Sequence, residues 1–150
     1  MATTKTESTL RISRIIKAPR AKVYAAWTRP EEMRKWCAPG DMNCTLAESD
    51  PKVGGKLRVH MTAPGPDGPT HKAVGEYRAV ESPSRLVYTW MWETPDGMSP
   101  ETIVTMEFHE RGPNATEVIM LHELPSEEAM NQHEKGWLGC FAKFEALFAA

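Results

Sequence analysis

The strongest constraint on the fold lies near the C-terminus. There Met130, His133, Trp137, Phe141, Phe144 and Phe148 follow one another at intervals of three, four, four, three and four residues. At 3.6 residues per turn, this spacing puts all six side chains on one face of a helix. Ser126 stands just before Glu127 and Glu128, as an N-cap ahead of acidic first-turn residues, and so predicts where the helix begins. An apolar stripe of this length has to be covered by another part of the chain. Gly136 and Gly139 fall inside the same helix, at a cost of about 1 kcal/mol each relative to Ala. Their presence predicts that sheet or ligand comes close at those positions.

The cover has to come from the preceding residues, which read mainly as strands. Leu10, Ile12, Ile15 and Ile16, with Arg11, Ser13 and Arg14 between them, suggest an opening strand that ends at Pro19. Val23, Ala26 and Trp27 then recur at helical spacing until Pro30, and Pro30-Glu31-Glu32 suits the first turn of a second short helix carrying Met33 and Trp36. Six strands are predicted next: Met42 to Glu48, Leu57 to Met61, Lys72 to Val80, Arg85 to Trp92, Ile103 to His109 and Thr116 to Leu124. Most of their separators are short and rich in Pro, Gly, Asn, Asp and Ser, which implies antiparallel neighbours. The order is therefore β–α–α–β6–α, an α+β chain in which a curved antiparallel sheet wraps around the long C-terminal helix. Residues 1–8 read as a flexible tail and residues 9–150 as one domain.

Composition narrows the function classes. A chain of 150 residues with 41% hydrophobic and 25% charged residues is long enough to bury a core without disulfides. Its formal charge of −2 and lack of a basic block argue against nucleic acid as a partner. No run approaches the roughly 20 apolar residues of a membrane span, and the polar N-terminus carries no apolar leader segment, so a cytoplasmic location is expected. Cys37, Cys44 and Cys140 show none of the CxxC spacings of zinc or redox sites and read as reduced thiols, Cys140 as a small filler in a helix interface.

A set of short segments resembles the SRPBCC superfamily of START-like helix-grip domains, and within it the bacterial family related to the activator of the heat-shock-protein-90 ATPase. The segments are Ile16-Lys17-Ala18-Pro19, Val23 with Trp27, Pro30-Glu31 ahead of Trp36, Gly54-Gly55-Lys56-Leu57-Arg58, Gly75-Glu76-Tyr77, Arg85-Leu86-Val87-Tyr88-Thr89-Trp90, Thr116-Glu117-Val118, His122 and Gly136-Trp137. Together they span about Leu10 to Phe148. The resemblance implies a helix-grip fold with a cavity between sheet and C-terminal helix. It does not imply one activity: relatives bind lipids, hormones or polyketides, a minority are cyclases or dehydratases, and the eukaryotic namesake binds a chaperone.

Candidate site residues follow from strand and helix faces. Period-two alternation puts Leu86, Tyr88, Trp90 and Trp92 on one face of their strand, with Val87 and Met91 as the competing face. Met120 and His122 share a face of the last strand. An inward His122 could orient a ligand carbonyl, act as a base, or simply be bonded within the fold. Glu76 and Arg78 lie opposite Tyr77 and read as an outer pair. The five histidines show no HxH or HExxH spacing, and GxSxG, Walker and GxGxxG motifs are absent, so no catalytic residue, metal or cofactor is expected. The leading expectation is a small hydrophobic, aromatic or lipid-like ligand held by Trp36, Met61, Tyr88, Trp90, Trp92, Met106, Phe108, Met120, His122, His133, Trp137 and Phe141. The alternatives are a lyase or cyclase using His122 or Tyr88 as acid or base, and a chaperone-related interaction module. A homodimer stays open as well.

Overall fold

The computed structural model describes residues 9–149 with their side chains and the backbone of residues 3–6. Its elements are β1 (Thr3–Thr6), β2 (Thr9–Ile16), α1 (Arg20–Thr28), α2 (Pro30–Met33), β3 (Asn43–Ser49), β4 (Lys56–Thr62), β5 (Thr70–Glu81), β6 (Arg85–Thr94), β7 (Gly97–Met98), β8 (Thr102–Gly112), β9 (Ala115–Glu123) and α3 (Glu127–Leu147). The predicted β–α–α–β6–α order is present, with two additions. β7 is a two-residue return that pairs with the end of β6. β1 lies within the stretch expected to be a tail: Thr3–Thr6 pair antiparallel with β2, Thr3 opposite Ile12. Pairing there satisfies backbone groups along an edge that would otherwise be open. Residues 1, 2, 7 and 8 of the expected tail lie outside the described residues.

The strands form one antiparallel sheet in the order β1-β2-β9-β8-β6-β5-β4-β3. Its first and last major strands, β2 and β3, are joined through α1 and α2, which cross the open side of the curve. β5 and β6 are paired with an irregularity. The register slips between Tyr77 and Ala79, and the Glu76 N–H is received by Thr89 Oγ1 at 2.9 Å. Gly75 makes this approach feasible, because a Cβ at that position would lie 1.9 Å from the Thr89 carbonyl oxygen. A side chain there would force the two strands apart and flatten the curve.

α3 occupies the concave face. Ser126 caps it as predicted, its Oγ receiving the Ala129 N–H at 3.1 Å. The stripe is buried at its centre, with Met130, Trp137, Phe141 and Phe144 all inside and His133 and Phe148 at its margins. β2 ends at Ile16, three residues short of the expected Pro19, which instead stands at the N-cap position of α1, and Pro30 opens α2 at N1. α2 is shorter than predicted and stops before Trp36, whose indole N–H donates to the Ala26 carbonyl at 2.9 Å and pins the following turn to α1. Gly139 does have a close neighbour, but it is the loop between α2 and β3 where sheet or ligand was expected: a Cβ there would come within 2.7 Å of Pro39 Cβ. Gly136 meets none within 4 Å. Glu76 and Arg78 lie on the outer face, where Arg78 pairs with Glu76 at 3.6 Å and with Glu101 at 3.4 Å. Among the described residues, no helix is long and apolar enough to cross a membrane.

Candidate functional site

The interior has a solid half and a hollow half. Over β2, β9 and β8 the inward side chains run in closed cross-strand rows. Ile12 faces Met120, which faces Met106, and Leu10 faces His122, which faces Val104. All six are fully buried, as are Phe108 and Phe141. Over β4, β5 and β6 the helix stands further from the sheet, and a cavity of about 160 Å³ remains. Its floor is Leu57, Val59 and Met61 from β4, Tyr77 from β5, and Tyr88 and Trp90 from β6. Trp137 and Cys140 of α3 close one side, and Trp27, Met33, Trp36 and Cys37 of the α1–α2 region close another. Pro39, Met42, His71, Trp92, His133 and Gly136, all partly or fully exposed, surround its mouth.

No lining residue is Asp, Glu, Lys or Arg. The rings are mutually supported: Trp27 lies 4.3 Å from Trp36 by ring centroids, Trp90 5.7 Å from Trp137, and Trp27 stacks near-parallel to Trp137 at 6.3 Å. Met33, Met42 and Met61 add flexible, polarisable wall.

Four of the five tryptophans spend their indole N–H on the protein. Trp36 uses the Ala26 carbonyl, as above. Trp27 donates to the Tyr88 hydroxyl oxygen at 3.3 Å. Trp92 donates to His133 Nε2 at 3.1 Å, which leaves the His133 proton on Nδ1, where it donates to the Ala129 carbonyl at 2.8 Å. Trp137 donates to His122 Nδ1 at 3.0 Å. His122 is therefore protonated on Nε2, which donates to Thr102 Oγ1 at 2.8 Å, and that hydroxyl passes its own proton to the Trp90 carbonyl at 2.8 Å. Burial, followed by the nearby His133, lowers the His122 pKa to about 3. A neutral imidazole with both nitrogens engaged is a bracket between α3, β9, β8 and β6, with no lone pair left for proton abstraction.

Two donors remain. Tyr88, only 3% exposed, accepts from Trp27, but its own proton has no acceptor among the described residues. The Trp90 indole N–H makes no side-chain hydrogen bond of the kind the other four tryptophans make, and its nitrogen is not one of the enclosed unpaired atoms among the described residues, which are Tyr24 Oη and His60 Nε2. Burial raises the pKa of Tyr88 well above the ordinary phenol value, so it remains a neutral O–H. Burial also pushes Cys140 up to about 12 and Cys37 well above the usual thiol value, which keeps both in the thiol form. No group of three or more His, Cys, Asp and Glu among the described residues is arranged to hold a metal.

Seven of the twelve residues expected around a ligand line this cavity: Trp36, Met61, Tyr88, Trp90, Trp92, His133 and Trp137. The structure places Met106, Phe108, Met120 and Phe141 in the solid half of the core, where close packing leaves no space beside them. His122 lies behind Trp137, bonded to it, and not on the cavity wall. Sequence reasoning missed Trp27, Met33, Cys37, Pro39, Met42, Leu57, Val59, His71, Tyr77, Gly136 and Cys140. Leu57 and Val59 share the strand face of Met61 and could have been found by alternation. Gly136 gave a signal in its helix-breaking cost. The α1–α2 and loop residues gave none, because no periodicity links them to the sheet.

Comparison with known proteins fits this architecture. The model of the family described as Activator of Hsp90 ATPase homolog 1-like protein matches residues 17–149. The chain belongs to this family. Family membership carries the helix-grip fold of the SRPBCC superfamily, which commonly binds hydrophobic ligands. Protein Ms6760 from Mycobacterium smegmatis superposes with a TM-score of 0.85 at 22% identity, over 100% of this chain and 97% of that one. Protein CV1439 from Chromobacterium violaceum gives 0.80 at 24% identity, over 93% and 96%. A protein from Staphylococcus epidermidis gives 0.81 at 25%, over 99% and 93%. These likenesses show the fold. No curated protein sequence matches the chain.

Proposed function

We propose that this helix-grip protein binds a small hydrophobic ligand, about one aromatic ring in size, in the cavity between β4–β6 and α3. The observation carrying this reading is an uncharged, ring-lined cavity of about 160 Å³ between the sheet and the C-terminal helix. Cavities of roughly 150 Å³ with apolar walls take up benzene, so a single ring matches the volume better than a lipid chain. The methionines at the walls allow slightly larger rings to be accommodated by side-chain rotation. Transfer of such a ring from water is favourable through its apolar area alone, at about 25 cal/mol per Å².

The acid–base alternative loses its histidine, because both nitrogens of His122 are committed. The interaction-module alternative would be favoured by a continuous apolar face. The exposed large apolar side chains among the described residues, Ile15, Val53 and Met98, instead sit on β2, the turn before β4 and β7.

The test is native mass spectrometry of purified protein together with quenching of tryptophan fluorescence by toluene, naphthalene and decanoate. Toluene or naphthalene should quench saturably and decanoate weakly. Absence of saturable quenching by all three, with no retained small molecule, would sink the reading.

A further inference from the structure

The two unspent donors define the chemistry of the ligand more narrowly than volume does. We infer that the cavity selects a neutral one-ring compound bearing a hydrogen-bond acceptor, such as an aryl ketone or aryl ether, whose oxygen is received by the Tyr88 O–H and the Trp90 N–H. This inference rests on the binding function proposed above and names the ligand class for that same site.

Trp90 departs from the pattern of the other tryptophans. Trp27, Trp36, Trp92 and Trp137 each donate to an acceptor within the protein. Buried Trp and Tyr normally find partners for their polar atoms; neither Trp90 Nε1 nor Tyr88 Oη is an enclosed unpaired atom, and both residues line the cavity, where a ligand can supply the partner. Trp90 is 94% buried, leaving 6% exposed, and Tyr88 is its neighbour two residues away on the same face of β6, with ring centroids 6.2 Å apart. Both line the cavity. The Tyr88 hydroxyl oxygen is held by Trp27, itself a lining residue, so the proton can turn toward the cavity without losing that bond.

The rest of the wall fixes the remaining terms. Near the Tyr88–Trp90 end few acceptors are free: His133 accepts from Trp92 and donates to Ala129, the Tyr77 hydroxyl pairs with Ser49, and Cys37 and Cys140 are neutral thiols, while His71 stands at the exposed mouth. A ligand whose only polar atom is a donor would therefore find few partners. No lysine or arginine lines the cavity, so a carboxylate would be desolvated without a countercharge, which is strongly unfavourable. A water molecule seated between Tyr88 and Trp90 would meet the same donors but could not fill the aromatic volume; a ketone oxygen takes its place and carries the ring with it.

The experiment compares acetophenone with α-methylstyrene, which has nearly the same shape but a CH₂ group in place of the carbonyl oxygen, and with benzoate. Calorimetry should show acetophenone binding roughly tenfold tighter than α-methylstyrene and benzoate not binding. In Tyr88→Phe this preference, taken as the ratio of the two affinities within the variant, should fall to about threefold or less. Infrared spectra of bound acetophenone should show the carbonyl stretch below its value in hydrocarbon solvent, moving back toward that value in Tyr88→Phe. Equal affinity for acetophenone and α-methylstyrene, or a carbonyl frequency equal to that in hydrocarbon, overturns the inference while leaving hydrophobic binding intact. Preferential binding of benzoate also overturns it. Failure of all three compounds to bind removes the binding function itself. Should Tyr88→Phe not fold, the carbonyl frequency in the unaltered protein decides alone.

Discussion

The bracket built on His122 makes the protein sensitive to acid in a way that can be calculated. Protonating Nδ1 would set it donor to donor against the Trp137 indole and place a charge among apolar side chains. The folded-state pKa is accordingly lowered to about 3, burial being the main cause. An unfolded histidine titrates near 6.5, so the unfolded chain binds the proton first as pH falls. The stabilisation is complete above about pH 6.5 and is lost between there and about pH 3. Linkage gives a loss of about 2 kcal/mol between pH 7 and pH 5 and about 4 kcal/mol by pH 3 from this one residue. For a chain of this length, 2 kcal/mol corresponds to roughly 4–8 °C in Tm. The assay is urea unfolding at pH 7, 6 and 5 for the unaltered protein and for His122→Gln. The variant should start about 1–3 kcal/mol less stable at pH 7, having lost part of the network, and then fall less steeply with acid. Parallel pH profiles for the two proteins would refute the reasoning, as would an NMR titration of the folded protein placing the His122 midpoint near 6.5.

Gly136 borders the cavity and has room for a Cβ, so Gly136→Ala should raise stability by about 1 kcal/mol while weakening aromatic binding severalfold, measured by thermal melts and calorimetry. Gly75→Ala would put a methyl 1.9 Å from the Thr89 carbonyl oxygen; a loss of several kcal/mol or failure to fold is expected, checked by circular dichroism. Ser126→Ala removes the cap on the Ala129 N–H and should cost about 1 kcal/mol in urea unfolding. Cys37 and Cys140, held as thiols by burial, should react with Ellman's reagent at pH 8 only as fast as the protein unfolds, whereas prompt reaction of both would show an open interior.

The fold was legible because each of its parts has its own local signal. The stripe from Met130 to Phe148 needs only helical periodicity, the Ser126 cap needs only its neighbours, and the strands are separated by turn residues. The β6 face was correctly chosen because Tyr88 and Trp90 are too large to leave in water. What alternation cannot report is where along a curved sheet the helix stands close and where it stands off. Met106, Met120 and Phe108 carry the same inward pattern as Leu57, Val59 and Met61, yet the first group meets packed neighbours and the second meets a cavity. That difference depends on how the strands and helix are spaced, including the close β5–β6 approach at Gly75, and on Trp27 and Trp36, which arrive from a separate part of the chain. His122 was misplaced for a related reason: inward orientation was readable, but the Trp137 ring standing between it and the cavity was not.

Stability and ligand recognition are coupled through β6. The Trp90 backbone carbonyl ends the proton chain that runs from Trp137 through His122 and Thr102, which locks the strand and hence the Trp90 side chain beside the cavity. Its neighbour Tyr88 is locked from the opposite side by Trp27. The two donors thus sit beside a network in which His122, His133 and Thr102 are already paired. A fold that supplied an internal acceptor for either would gain stability and lose a contact for a ligand. Under the binding function proposed above, holding these donors in place beforehand spares a ligand the cost of ordering them, and this is why a cavity of only about 160 Å³ is expected to discriminate between two molecules of the same shape by a single oxygen atom.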